Sequence, residues 1–342
     1  MAEVTIQKRG KVGQITLNRP NALNALTYEM ISSIEQALIE WESDISVKAV
    51  LVDAEGSRAF CAGGDISDLY KQGKIGNYEF GQKFWADEYR LNALIDGYPK
   101  PYVVFMQGFT MGGGVGISCH GSHRIVGESS RIAMPECGIG LVPDVGGSFL
   151  LTQKSINLGL YLGITGSQMD ASDAIFAGFA DYFIPEAKWD DIKYQLVQTG
   201  SPHFMKDMEE DLPPSFLSKN FNAIVEVFSE RSPISIINGM RNYPELESGL
   251  ARLEKASPLS VLVTLFMLRI PEISQSVTAA LKTEYRYTAR AQEFTDFQEG
   301  IRAMVVDKDR NPVWKHSSLD VVTEEEALCL LKPLSNQLEL RL

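Results

Sequence analysis

Positive charge is scarce in this chain. Lys and Arg number 32 against 44 Asp and Glu, for a net charge of −12, and the isoelectric point is about 4.9. General nucleic-acid binding needs a basic footprint along the phosphates, so that class is excluded; a local basic pocket for a phosphorylated cofactor is not. Cysteine is scarce too. The 4 present, Cys61, Cys119, Cys137 and Cys329, show neither paired nor metal-type spacing, which reads as free thiols in a reducing compartment. His120 and His123 lie close together but lack partners at ligand spacing, so no metal site is expected. Long hydrophobic runs are missing, and the most apolar window, Leu259 to Leu268, is too short to span a bilayer. The N-terminal MAEVTIQKRG has no apolar signal region and enters strand-like alternation at Val4 and Ile6. The expectation is a cytoplasmic protein with no nucleic-acid or membrane partner.

What is present is an ordinary globular composition. Of 342 residues, 44% are hydrophobic and 22% charged, enough for one large domain or two ordinary ones. Val4–Gln7 and Gln14–Asn18 predict a hairpin around Arg9-Gly10-Lys11. Thr27 can cap a helix that carries Met30, Ile34, Ala37, Leu38 and Trp41 on one face. Val50–Asp53 and Tyr102–Gln107 read as buried strands, and a helix is predicted from about Tyr78 to Asp96. Its apolar stripe is Phe84, Leu91 and Ile95, and Glu88 falls on that stripe. A carboxylate there is costly unless it is paired or hydrogen-bonded. Strands alternating with helices up to Ala180–Ile184 indicate an α/β fold. Beyond Pro185 strand signals fade: His203–Pro214 reads as an acidic loop, and Ser257-Pro258 and Ser276 open helices.

Two glycine turns follow strands. One is Cys61-Ala62-Gly63-Gly64-Asp65-Ile66, and the other runs through Gly112, Gly113 and Gly114. Glycine permits positive φ or close approach of the backbone to a ligand, and a helix starting there presents bare N–H groups. The dinucleotide fingerprint, the P-loop lysine and the G-x-S-x-G elbow are all absent. One such turn alone reads equally well as packing. Two of them can aim one N–H each at the same oxygen, as an oxyanion hole requires.

The F-C-A-G-G-D-I turn, the M-G-G-G-V-G turn and the segment M-P-E…G-L-V-P-D-V-G-G resemble the enoyl-CoA hydratase/isomerase (crotonase) superfamily. The resemblance runs from about Ile15 to Asp181 and resumes at Asp296–Trp314. It implies a crotonase-like spiral of ββα units with a C-terminal helical region, divided into a crotonase-like acyl-CoA-binding core (1–190) and a mainly helical part (191–342). It implies an acyl-CoA substrate and no permanently bound cofactor, CoA being part of the substrate. The family's usual trimer makes a homo-oligomer an open expectation.

Pro135-Glu136 could be only a helix start, and Asp144 only a cap or turn residue. Beside two oxyanion turns, they read instead as acid/base groups. In the family's hydratases a second glutamate lies two residues beyond the last glycine of the run; here that position is Gly116. Isomerases of the family use one glutamate, at the place of Glu136. The branch that hydrolyses 3-hydroxyisobutyryl-CoA, a step of valine catabolism, has glycine at the Gly116 position, a glutamate matching Glu136 and an aspartate matching Asp144. The segment F-Q-E-G-I-R-A-M-V-V-D-K-D-R-N-P-V-W also resembles that branch, which is therefore favoured. The resemblance then implies Gly64 and Gly113 as oxyanion donors and Glu136 and Asp144 as catalytic carboxyls. It implies substrate contacts at Glu88, Gly113, Gly116, Ala62 and Asp65. Whether Glu136 attacks directly or activates water stays open. The competing readings are an enoyl-CoA isomerase or hydratase and a non-catalytic acyl-CoA-binding protein; the acyl group is left between 3-hydroxyisobutyryl and 3-hydroxypropionyl.

Overall fold

The computed structural model describes residues 2–342. The strands are β1 (Val4–Arg9), β2 (Val12–Leu17), β3 (Ala49–Ala54), β4 (Ala59–Cys61), β5 (Tyr102–Met106), β6 (Phe109–Met111), β7 (His123–Val126), β8 (Arg131–Ala133) and β9 (Tyr182–Phe183). The helices of the first two-thirds are α1 (Tyr28–Ser43), α2 (Ser67–Lys74), α3 (Tyr78–Asp96), α4 (Gly113–Ser118), α5 (Gly147–Lys154), α6 (Ile156–Thr165), α7 (Ala171–Ala177) and α8 (Trp189–Thr199). The C-terminal third adds α9 (Phe216–Lys219), α10 (Phe221–Phe228), α11 (Pro233–Met240), α12 (Glu247–Leu253), α13 (Pro258–Met267), α14 (Val277–Phe294), α15 (Phe297–Ile301) and α16 (Glu324–Leu331).

The described residues form two compact units, each assembled from separate stretches of chain. The first comprises the chain up to Gly64, Arg90–Ala133 and Met169–Ser218; the second comprises Asp65–Tyr89, Met134–Gln168 and Lys219–Leu342. Neither follows a break at residue 190, because β9 and α8 complete the sheet unit while α2, α5 and α6 pack among the C-terminal helices.

Both sheets lie in the first unit. One runs β1-β2-β3-β5-β7-β9 and the other β4-β6-β8. After the antiparallel β1–β2 hairpin, the pairing is parallel throughout. Three times in succession the chain lays one strand in the larger sheet and the next in the smaller: β3 then β4, β5 then β6, β7 then β8. This is the ββα spiral, and it left no repeat in the residues. The small-sheet strands have three residues each, too few to show an alternation of period two. Gly108 makes the corner from β5 into β6 at φ +58°, where a Cβ would come within 2.2 Å of the Arg58 carbonyl oxygen.

Parallel strands covered on both faces should be apolar throughout, and β5 is buried along its whole length. On one face Val103, Phe105 and Ile125 pack with Trp189, Ile192 and Leu196 of α8. Phe105 meets Trp189 edge-to-face at 5.3 Å. α1 begins where its cap predicts, with the Thr27 hydroxyl accepting from the Met30 N–H at 3.3 Å. It buries Met30, Ile34, Leu38 and Trp41.

The second unit is helical. α13 and α14 start at serine caps, Ser257 accepting from Ser260 N–H and Ser276 from Ala279 N–H. α5 and α6 are separated at Ser155, whose extended backbone (φ −169°) interrupts the helical ladder. The segment 203–214 read as a loop begins with a 3-10 helix, His203–Met208.

Candidate active site

The two glycine turns are built by neighbouring parallel strands. β4 pairs with β6, β4 leads into Gly63 and Gly64, and β6 leads into Gly112 and Gly113. Strands side by side and in the same direction deliver their following turns to the same end of the sheet. The contact is close: a Cβ on Gly63 (φ +113°) would lie 3.5 Å from the Met111 carbonyl oxygen and 4.0 Å from the Gly113 nitrogen. A Cβ on Gly114 would overlap the Cys61 carbonyl oxygen at 2.2 Å. Gly112 (φ +49°) turns the chain into α4, whose first residue is Gly113. First-turn N–H groups have no helical carbonyl behind them. The other turn is braced by the loop before α1: Ala62 N–H donates to Leu23 O at 3.0 Å, and Leu26 N–H to Gly63 O at 2.9 Å. Gly116 is buried within α4. Asp65 accepts from the Ser67 N–H at 3.3 Å, so its carboxylate forms a turn at the entry to α2.

The acidic residues form a second constellation, within the other unit. Glu88, Glu136 and Asp144 are each at most 4% exposed. Glu136 opens a short 3-10 helix, Glu136–Ile139, directly after Pro135. Asp144 stands before Val145 and Gly146, both left-handed (φ +54° and +76°). Glu88 comes from the buried face of α3, as its place on the apolar stripe predicts. Oε2 of Glu136 and Oε1 of Glu88 are buried with no hydrogen-bond partner among the described residues. A buried polar atom without a partner is costly, and a reactive carboxyl waiting for substrate is one reason to keep it.

Burial is the first cause of every shift in this cluster. It holds Glu88 well above the usual carboxylate range, with the Asp144 charge adding to it. Glu136 is likewise pushed well up, by burial and then by Asp144 and Glu284. Asp144 is raised to about 7 by burial, opposed by a hydrogen bond from Tyr89. Like charges at close quarters in a dry site do not all ionise, so the cluster holds protons at neutral pH. Among the described residues, no group of His, Cys, Asp or Glu is placed to hold a metal ion.

Two members of this cluster escaped the reading of the residues. The Tyr89 hydroxyl donates to Asp144 Oδ2 at 2.8 Å. Glu284 of α14 is fully buried and accepts from the N–H groups of Gly146 (2.8 Å) and Ser148 (3.0 Å) and from the Ser148 hydroxyl. A signal for Glu284 existed: it lies on the α14 stripe with Val277, Ala280, Leu281 and Thr288, as Glu88 does on α3.

The enoyl-CoA hydratase/isomerase family model matches residues 12–331. The chain belongs to the enoyl-CoA hydratase/isomerase family. Among its relatives in that family, the chain is 38% identical to the mitochondrial 3-hydroxyisobutyryl-CoA hydrolase of Danio rerio, over 95% of this chain and 88% of the relative. It is 36% identical to the protein of the same name from Homo sapiens, over 95% and 87%. Among solved structures, an enoyl-CoA hydratase from Rhodobacter sphaeroides 2.4.1 superposes with a TM-score of 0.94 at 46% identity, covering all of both chains. A carnitinyl-CoA dehydratase from Mycobacterium thermoresistibile gives 0.93 at 37%, covering 100% of this chain and 99% of the other. These likenesses bear out the crotonase-like architecture with its helical C-terminal region. They overturn the cytoplasmic expectation, because the curated hydrolase relatives are named as mitochondrial. Among the described residues no helix is long and apolar enough to cross a membrane.

Proposed function

We propose that this chain hydrolyses the thioester of 3-hydroxyisobutyryl-CoA to the free hydroxy acid and CoA. The observation that carries the reading is the buried carboxyl set, Glu136 with an unbonded oxygen and Asp144 raised to about 7, in a chain 36–38% identical along most of its length to hydrolases of that name. The N–H groups of Gly64 and Gly113 bind the thioester oxygen and stabilise the tetrahedral oxyanion, each lowering the barrier by roughly 3–4 kcal/mol. Glu136 acts on the carbonyl carbon by one of two routes: it takes a proton from the attacking water, or it attacks directly and water cleaves the resulting anhydride. The C–S bond breaks as the intermediate collapses, and the CoA thiolate takes up a proton delivered by way of Asp144. Glu88 holds the hydroxyl end of the acyl group. CoA enters as substrate, with no permanently bound cofactor.

The solved enoyl-CoA hydratase at 46% identity favours a second reading, hydration of an enoyl-CoA. Against it stands Gly116, where the family's hydratases carry their second glutamate. The test follows thiol release from 3-hydroxyisobutyryl-CoA, with water addition to crotonyl-CoA measured alongside, for wild type, Glu136→Ala and Asp144→Ala. Thiol release that falls about 10³-fold in each variant is the expected result. Hydration without thiol release would replace the hydrolase reading with the hydratase one.

A further inference from the structure

Asp144 is followed by two left-handed residues, Val145 at φ +54° and Gly146 at φ +76°. Glycine takes that conformation freely, but a β-branched residue takes it only where surrounding structure holds it there. The direction in which the Asp144 carboxyl points therefore depends on whatever pins this turn. The Gly147 N–H closes the turn on the Asp144 carbonyl at 2.7 Å, and Glu284 braces it from α14: its Oε2 accepts the Gly146 N–H at 2.8 Å, and its Oε1 accepts the Ser148 N–H at 3.0 Å together with the Ser148 hydroxyl.

A buried carboxylate is an expensive way to fill space. None of its hydrogen-bond partners is cationic, so its desolvation is offset only by the neutral donors it accepts. The surroundings explain the choice. The titratable groups that face Glu284 are Asp144, Glu136 and Tyr89, all of them within the cluster. One turn further along α14, Thr288 Oγ1 lies 3.3 Å from the Tyr89 phenol oxygen, the same phenol that donates to Asp144. One face of α14 thus holds Asp144 twice: through the backbone behind it, and through the tyrosine at its carboxyl. Burial raises Glu284 to about 8, the Asp144 charge adding to the rise and the three donated hydrogen bonds opposing it. The two carboxyls therefore titrate as neighbours and not independently.

We propose that Glu284 is a positioning residue for the reaction: it locks the left-handed Asp144 turn through the Gly146 and Ser148 amides. The inference rests on Asp144 acting in the thioester hydrolysis proposed above. Glu284 touches no reacting atom. Its removal misdirects a group that does, and displacements near 1 Å cost about 10²-fold in rate.

The experiment compares wild type, Glu284→Gln, Glu284→Asp, Asp144→Asn and the Glu284→Gln/Asp144→Asn double variant, each as the full chain with its melting temperature recorded. kcat and KM for 3-hydroxyisobutyryl-CoA are measured across pH. Glu284→Gln keeps the side-chain shape but turns an amide donor toward one of the backbone donors. The expected result is a fall in kcat of about 10–10²-fold, with KM changed by less than about threefold. Glu284→Asp should recover part of kcat. In the Asp144→Asn background, Glu284→Gln should add little, as residues acting as one unit do. A folded Glu284→Gln with wild-type kcat overturns the inference, as does a full multiplicative loss in the double variant. If Glu284→Gln does not fold, Glu284→Asp decides: wild-type kcat in that variant overturns the inference. Wild type with no thiol release sinks the hydrolase reading and this inference together, an outcome distinct from either of the others.

Discussion

Glu136 shows why a site residue is a poor stabiliser. One of its oxygens is buried without a partner, and its folded pKa stands well above the unfolded value through burial and the neighbouring carboxyls. The sign follows from proton linkage. The folded state binds the proton more tightly, so the Glu136 contribution to stability is complete below the unfolded pKa, about 4.3, and is lost as pH rises toward the folded value. Glu136→Gln removes that loss along with activity. Its melting temperature relative to wild type should climb as pH rises above the unfolded value, by roughly 2 °C for each kcal/mol relieved; a difference that is flat or falls with pH contradicts the assignment. Tyr89 works in the other direction, since its hydroxyl lowers the Asp144 pKa. Tyr89→Phe should move the pH limb that Asp144 controls to higher pH by about one unit, the size of one hydrogen bond to a charged group. A pH–kcat profile shows it, and an acid-side shift would refute it. Glu88 was legible by itself, as a carboxylate on an apolar stripe, whereas Glu136 and Asp144, each of which alone reads as a helix start or a cap, were legible only beside the two glycine turns. Tyr89 was not legible, since a tyrosine beside a buried stripe is unremarkable until its hydroxyl is seen to meet Asp144.

At the scale of the element, the two glycine turns depend on strands too short to announce themselves. β4 and β6 bring the two glycine turns together, and Gly114 is the point of closest approach, with no room for a side chain against the Cys61 carbonyl. Gly114→Ala leaves the Gly64 and Gly113 amides intact but forces the turns apart. It should cut kcat/KM by about 10²-fold or more while the protein stays folded; near-wild-type turnover would show that the turns do not act as a pair. The helices were the readable elements. α3 runs from Tyr78 to Asp96, as its periodicity predicts, and α1, α13 and α14 start at hydroxyl caps. Ser276→Ala should cost about 1 kcal/mol by loss of the cap on α14, measured as a lowered denaturant midpoint with an unchanged slope.

At the scale of the whole molecule, chain order and compact units do not coincide. The sheet unit takes β9 and α8 from residues 169–218, and the helical unit takes α2, α5 and α6 from ahead of the C-terminal helices. A fragment of residues 1–190 would carry part of each and neither complete. It should show no cooperative thermal transition, whereas the full chain melts cooperatively; a folded 1–190 fragment would restore a division at that point. The acidic balance, −12 overall, argues against general nucleic-acid binding at this scale but names no substrate.

The sequence by itself determined what depends on neighbours along the chain: the caps, the helical stripes, the burial of β5, the glycines of both turns and the conspicuous carboxyls of Glu88, Glu136 and Asp144. Local propensity and side-chain periodicity act over a few residues, so a few residues suffice to read them. Only the tertiary structure decided the spiral of the two sheets, the convergence of the β4 and β6 turns, and the place of Glu284 behind Asp144, 138 residues away from the Gly146 amide it accepts. Each of these is a contact between distant segments, where hydrogen-bond geometry and burial choose among pairings that composition and spacing leave equal.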